Sequence, residues 1–169
     1  TADAYITRTF ESGNLYTVSF PFAMNETTTK NVFGSHVEVY EYTSLTEETD
    51  GLVLNFTKLS TPQIAAGTPY LVKPNRYAYG FGLSDVTISN ANNPVAHTCA
   101  STTIAMEPVL TVAANAKTNG KTQYWLAEDN NLYNKSVNLK GLRAIFNVQT
   151  NKSNVRARAA FNENVETGV

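Results

Sequence analysis

The chain predicts an all-β fold: a two-sheet antiparallel β-sandwich of Greek-key or jelly-roll type with at most one short helix. Three observations carry this prediction. Apolar residues alternate with polar ones at period two in run after run. Residues tolerant of turns punctuate the runs, and the charged fraction is only 16% against an ordinary value of about 25%. Asn, Thr and Ser take the place of charge; they suit turns and the solvent face of strands and give helices little of the Glu, Lys and Ala they favour.

In chain order, strands are expected at 5–10 and at Tyr16, Val18 and Phe20, which alternate with Thr17 and Ser19. A short helix is expected from Glu26 to Phe33, where Asn25 can cap the first turn and Gly34 stands just past the end. Strands follow at 37–42 and at Leu52, Leu54 and Phe56, which alternate with Val53, Asn55 and Thr57. The run Ala66-Gly67-Thr68-Pro69-Tyr70-Leu71-Val72-Lys73-Pro74 reads as a fixed corner entering a strand at 70–73. Prolines cannot donate to a ladder, so this strand is expected at a sheet edge or directly after a bend.

Further strands are expected at 86–89, at 123–126 and, after the turn Asp129-Asn130-Asn131, at Leu132-Tyr133. Two regular runs close the chain: Leu142, Ala144, Phe146 and Val148 facing in, then Val155, Ala157, Ala159 and Phe161 facing in with Arg156 and Arg158 facing out. Turn residues stand at 12–14, Asp50-Gly51, 90–94, Asn119-Gly120 and 149–154. Between 91 and 118 the only apolar runs are Ile104-Ala105-Met106 and 109–112, and the pattern fixes no element there. So many inward faces need a second sheet to bury them.

A chain of 169 residues can bury roughly 70% of its unfolded surface in one core, and residues 1–169 are read as a single domain. A net charge of −1 offers no electrostatic footprint for nucleic acid or anionic lipid. No apolar run reaches the length of about 18 residues that a membrane span requires. The single cysteine, Cys99, cannot form an internal disulfide.

Arg8-Thr9-Phe10, the 17–22 run Thr-Val-Ser-Phe-Pro-Phe, Phe33-Gly34, the 66–74 block, Gly141-Leu142-Arg143-Ala144-Ile145-Phe146, Ala157-Arg158-Ala159 and the closing Glu166-Thr167-Gly168-Val169 stand in an ordered series. In order and spacing this series resembles a β-rich module of secreted multidomain proteins of gut and oral Bacteroidetes, described as adhesion-type. The stretch 91–116 departs from the pattern. The resemblance implies a secreted or cell-surface setting, a place within a longer protein, an adhesive role and no catalytic residues; the chain is read as a module for adhesion, partner recognition or structural spacing, with a protein or glycan partner at the cell exterior.

The residues themselves supply few chemical constellations. His36 and His97 lack the clustered partners of a zinc site. His97 and Cys99 share a strand face but want the third, orienting group of a nucleophilic site. Glu38 and Glu41 fall on opposite faces of one strand, whereas a glycosidase needs facing carboxylates. Asp129-Asn130-Asn131 lacks the glycine and distal glutamate of a calcium loop and reads as a hairpin turn. No cofactor or metal is expected, and the chain is read as a non-enzyme.

Tyr77, Tyr79 and Phe81 are the strongest ligand-binding candidates, because on an extended strand they would share a face able to stack on sugar rings or to contact a protein. Their alternative task is to cover an open end of the sandwich. Trp125, the sole tryptophan, is a further candidate ring, with a core anchor as its alternative. Arg143, Arg156 and Arg158 would form an outward ridge if the last two strands paired. The Asn-x-Ser/Thr sites at Asn25, Asn55, Asn134 and Asn151 would be acceptors only in a eukaryotic secretory route.

Overall fold

A computed structural model describes residues 1–110, 116–117, 119–153 and 155–162. The apolar run at 109–112 and the 149–154 turn therefore lie partly outside the described residues, and the closing Glu166-Thr167-Gly168-Val169 lies wholly outside them. The element order is β1 (Ala2–Phe10), β2 (Tyr16–Val18), α1 (Glu26–Phe33), β3 (Glu38–Glu48), β4 (Gly51–Lys58), β5 (Tyr70–Lys73), β6 (Ala78–Val86), β7 (Val95–Cys99), β8 (Thr102–Val109), β9 (Ala116–Lys117), β10 (Gln123–Leu126), β11 (Leu132–Tyr133), β12 (Asn138–Leu139), β13 (Arg143–Thr150) and β14 (Ala157–Asn162). The fold is all-β, as the alternation predicts.

Two five-stranded sheets, β14-β4-β3-β5-β2 and β11-β10-β13-β8-β7, form the sandwich. Their inner faces carry Leu54, Phe56, Leu71, Ala157 and Ala159 from the first and Ile104, Met106, Tyr124, Phe146 and Val148 from the second, all buried in one cluster. Phe56 and Phe146 meet edge to face across the middle, ring centroids 6.3 Å apart. Alternation explains the sidedness: on β8, Thr102, Ile104 and Met106 point in, while the residues between them are half-buried. Burying side chains of this size contributes roughly 1.5–3 kcal/mol each.

A third layer lies on the other face of the first sheet. Val39 and Val72 point away from the sandwich interior and join Ile6 and Phe10 of β1, Phe20, Phe22, and Val32 and Phe33 of α1 in a second apolar cluster. A separate two-stranded ribbon, β1 with β6, forms this layer together with α1. The helix occupies the predicted residues: the Asn25 side chain accepts from the Thr28 N–H at 2.8 Å, and the Gly34 N–H closes the end on the Lys30 carbonyl. Thr29, Val32 and Phe33 are its buried side.

Several expectations need correction. The strand at Tyr70–Lys73 has the predicted bounds and, of its two expected placements, takes the one after a bend and not the edge; it lies between β3 and β2, and its two prolines sit just outside the paired residues. The bend before it is made at Gly67, whose φ of +69° favours glycine. The strand expected at 86–89 lies earlier, as β6, and ends at Val86. β13 and β14 do not pair with each other: β13 runs antiparallel to β8, and β14 runs parallel to β4. The arginine ridge across the last two strands is therefore absent.

Candidate functional site

The β1–β6 ribbon presents the predicted aromatic segment, but not as a single strip. Tyr79 pairs with Thr9, and Phe81 pairs with Ile6; three residues of β1 thus span two of β6, a bulge. Gly80 sits between them with φ +67° and breaks the period-two alternation. Tyr79 is 75% exposed on the outer face. Phe81 turns inward between Phe10, Phe20 and Phe33, with ring centroids 6.4, 6.2 and 5.8 Å away. Phe81 is thus a plug of the second apolar cluster rather than part of an exposed platform.

Tyr5, which the sequence pattern did not single out, is a further exposed ring of the ribbon. It pairs with Gly82 and is 72% exposed. A Cβ on Gly80 would lie 3.0 Å from its hydroxyl, and one on Gly82 would lie 3.6 Å from its ring, so the ring lies across two glycines of the neighbouring strand. Tyr77, just before β6 and 57% exposed, lines a shallow groove with Tyr79, Arg76 and Asn31 of α1. Arg76 Nη1 ties that groove to the helix through the Asn31 carbonyl at 2.8 Å. Tyr5, Tyr77 and Tyr79 are the exposed rings of this layer. The sequence signal for Tyr5 was its odd position in β1, opposite in phase to Ile6 and Phe10.

Trp125 lies elsewhere, on β10. Its neighbour Tyr124 is the residue that enters the sandwich core, whereas Trp125 packs against Tyr133 at 5.7 Å and is only half-buried. Its Nε1 is buried and has no hydrogen-bond partner among the described residues. Trp125 borders a cleft of about 950 Å³ with Tyr16, Arg8 and Arg143. Arg8 reaches it from β1: its Nη1 donates to the carbonyls of Thr17 and Leu142 at 2.8 and 2.9 Å, and its guanidinium lies over the rings of Phe10 and Tyr16 at 4.7 and 5.5 Å. Burial first, and then the charge of Arg143, push Arg8 below its ordinary pKa; burial does the same to Arg143.

The remaining candidates are occupied structurally. His97 Nε2 contacts the Tyr42 carbonyl at 3.1 Å, and Cys99 packs on the sandwich core from the same face of β7. Glu38 accepts from the Tyr40 hydroxyl at 2.9 Å and lies 3.6 Å from the Lys58 ammonium, while Glu41 is exposed. Asp129-Asn130-Asn131 forms the hairpin turn, with the Asn130 N–H on the Ala127 carbonyl at 3.0 Å. Asp129 accepts from the Tyr133 hydroxyl and the Asn131 N–H, which hold its carboxyl below the usual range. Arg158 pairs with Glu48 at 2.8 Å, and Arg143 Nη1 donates to the Gly141 carbonyl at 3.2 Å.

Among the described residues, no three His, Cys, Asp or Glu side chains gather as a metal-binding group, and no helix is long and apolar enough to cross a membrane. Compared with family models, with curated proteins and with solved structures, the chain finds no match.

Proposed function

We propose that the chain is a non-catalytic recognition module that engages its partner through the tyrosine face of the β1–β6 ribbon, within a secreted or surface-attached bacterial protein. The observation that carries the reading is the exposure of Tyr5, Tyr77 and Tyr79 at 72, 57 and 75%. Covering rings of this size with a partner removes apolar area from water, at about 25 cal/mol per Å². Tyrosine also supplies contact area and a polar tip at little conformational cost, which suits sugar rings and protein surfaces alike. The cell-exterior setting and the adhesive role rest on the resemblance of the ordered sequence blocks.

One feature suits a glycan: the Tyr5 ring runs across Gly80 and Gly82 and stays 72% exposed, so it is open to stacking on a sugar. A glycan array probed with the chain and with its Tyr5→Ser/Tyr79→Ser variant tests the reading, with circular dichroism establishing that both fold. Both substitutions are at exposed positions, so the variant is expected to fold. Selective glycan binding that disappears in the variant supports the glycan reading. Binding to no glycan discards it and leaves a protein partner or a spacer role; binding that the variant retains rejects the tyrosine face.

A further inference from the structure

We propose that the cleft bounded by Arg8, Arg143, Tyr16 and Trp125 is a binding site for an acidic saccharide, with the two guanidiniums receiving the sugar carboxylate. This goes beyond the tyrosine face, since Tyr5, Tyr77 and Tyr79 do not line the cleft.

The charge arrangement is the first ground. Two guanidiniums border one cleft, and among the described residues neither has a carboxylate within salt-bridge distance. Cations taken out of water ordinarily come with a counter-charge. Glu11 and Glu128 stand at the same cleft without closing on either arginine, and the Glu11 carboxylate is engaged by Asn14 Nδ2 at 3.1 Å. The hydrogen bonds of both arginines go to backbone carbonyls, through Nη1 alone. Each guanidinium therefore keeps its Nη2 and Nε donors, the pair of N–H groups that meets a carboxylate in fork geometry.

The walls decide the class of ligand. Tyr16 and Trp125 supply aromatic faces beside the two cations, and Asn14, Asn130 and Asn138 supply amides suited to hydroxyl groups. A volume of about 950 Å³ is at the upper end of small-ligand sites, which run to about 1,000 Å³, and accommodates a short oligosaccharide. An acidic peptide docking as an added strand would need a free edge, and that of β2 is closed. The Thr17 carbonyl of β2 already accepts from Arg8, the Thr17 hydroxyl accepts from the Ala144 N–H at 3.3 Å, and the Ser19 N–H donates to the Leu142 carbonyl at 3.2 Å.

Trp125 is the sole tryptophan, so its fluorescence reports on the cleft directly. The experiment titrates the chain with trigalacturonate, with maltotriose as the neutral trisaccharide and with triglutamate as the acidic peptide. A saturable change with trigalacturonate is expected, at least about tenfold tighter than with either of the others. Arg143→Gln is expected to weaken it by about tenfold or more. Because Arg8 braces two carbonyls, Arg8→Lys serves as its variant, keeping the charge while losing the fork, and it too is expected to weaken trigalacturonate. The Tyr5→Ser/Tyr79→Ser variant is expected to respond as the parent does, so failure of the tyrosine-face reading and failure of this one are distinguishable. No saturable change in the folded parent, equal affinity for maltotriose, tighter binding of triglutamate, or indifference to Arg143→Gln each overturns the proposal.

Discussion

His97 of β7 places its Nε2 at 3.1 Å from the carbonyl oxygen of Tyr42 on β3, and the two rings meet edge to face with centroids 4.6 Å apart. The contact joins the two sheets of the sandwich where the ladder changes. β5 pairs with β3 only over Glu38–Tyr40, and the bulge between Tyr42 and Ser44 shifts the register with β4. His97→Leu keeps the apolar bulk but removes the hydrogen bond and leaves a carbonyl without this donor. A loss of about 1–2 kcal/mol is expected, read from the midpoint of urea unfolding at neutral pH.

Among the described residues the buried Tyr42 hydroxyl has no partner, whereas the Tyr70 hydroxyl accepts from the Ala65 N–H at 3.2 Å. The same chemical change should therefore have opposite signs at the two sites. Tyr42→Phe is expected to be neutral or to stabilise by up to about 1 kcal/mol, and Tyr70→Phe to destabilise by about 1 kcal/mol. Parallel denaturant titrations of the two variants check this directly.

Burial raises the phenol pKa of Tyr42, Tyr70 and Tyr124 in the folded chain. The unfolded chain releases these protons near about pH 10, while the fold holds them. The stability they contribute is complete below that pH and is lost as pH rises beyond it, toward the folded values. The urea midpoint is expected to hold from about pH 7 to about pH 9 and to fall above about pH 10. Tyr42→Phe should shallow that fall, and an unchanged slope would remove Tyr42 as a contributor.

Asn25 caps α1 through its side-chain oxygen, and Thr29 Oγ1 adds a bond to the Asn25 carbonyl at 2.8 Å. Asn25→Ala is expected to cost about 1 kcal/mol, and Asn25→Asp to cost little because a carboxylate serves the same N–H at a helix N-terminus. Thermal melts of the pair against the parent distinguish loss of the cap from loss of the amide.

Gly67 combines φ +69° with a close approach: a Cβ there would lie 2.0 Å from the Ala91 carbonyl oxygen. Its N–H donates to the Phe20 carbonyl, and its own carbonyl accepts from the Asn93 N–H, both at 2.8 Å. Gly67→Ala is expected to destabilise by at least about 2 kcal/mol, since backbone strain and displacement of a backbone carbonyl add together. Gly13→Ala, at φ +86° with open space around it, is the control and should cost only the conformational strain, about 1 kcal/mol. Equal losses at the two sites would show that the approach to Ala91 is unimportant.

Sequence pattern reached different elements to different depths. Where strong apolar residues alternate or a cap stands in plain view, as in β4, β5, β10 and α1, bounds were legible to within a few residues. β7 escaped because its inward residues, Val95, His97 and Cys99, include an imidazole and a small thiol, so the period-two signal carries little apolar weight. β6 escaped for another reason: one glycine at positive φ inverts the phase between Tyr79 and Phe81, and no propensity scale sees that inversion. The convergence of Arg8 with Arg143, the latter expected in a ridge with Arg156 and Arg158, was not legible because it joins segments 134 residues apart, as the bond from Arg8 to the Leu142 carbonyl shows. Parallel pairing of β14 with β4 was likewise hidden, since turn chemistry speaks only for neighbours in sequence.

That parallel pairing also sets an order on synthesis. The flank of β4 carrying Leu52, Leu54 and Phe56 waits for Ala157–Asn162, and the Arg158–Glu48 ion pair that fastens one end spans 110 residues. A nascent chain emerging from the ribosome can complete the β3–β4 hairpin early but must carry its outer edge open until nearly all of these residues have been made. Unpaired edges of this kind recruit other chains. Chains stopped short of β14 are therefore expected to self-associate, and β14 is both the last strand of the sheet and its guard.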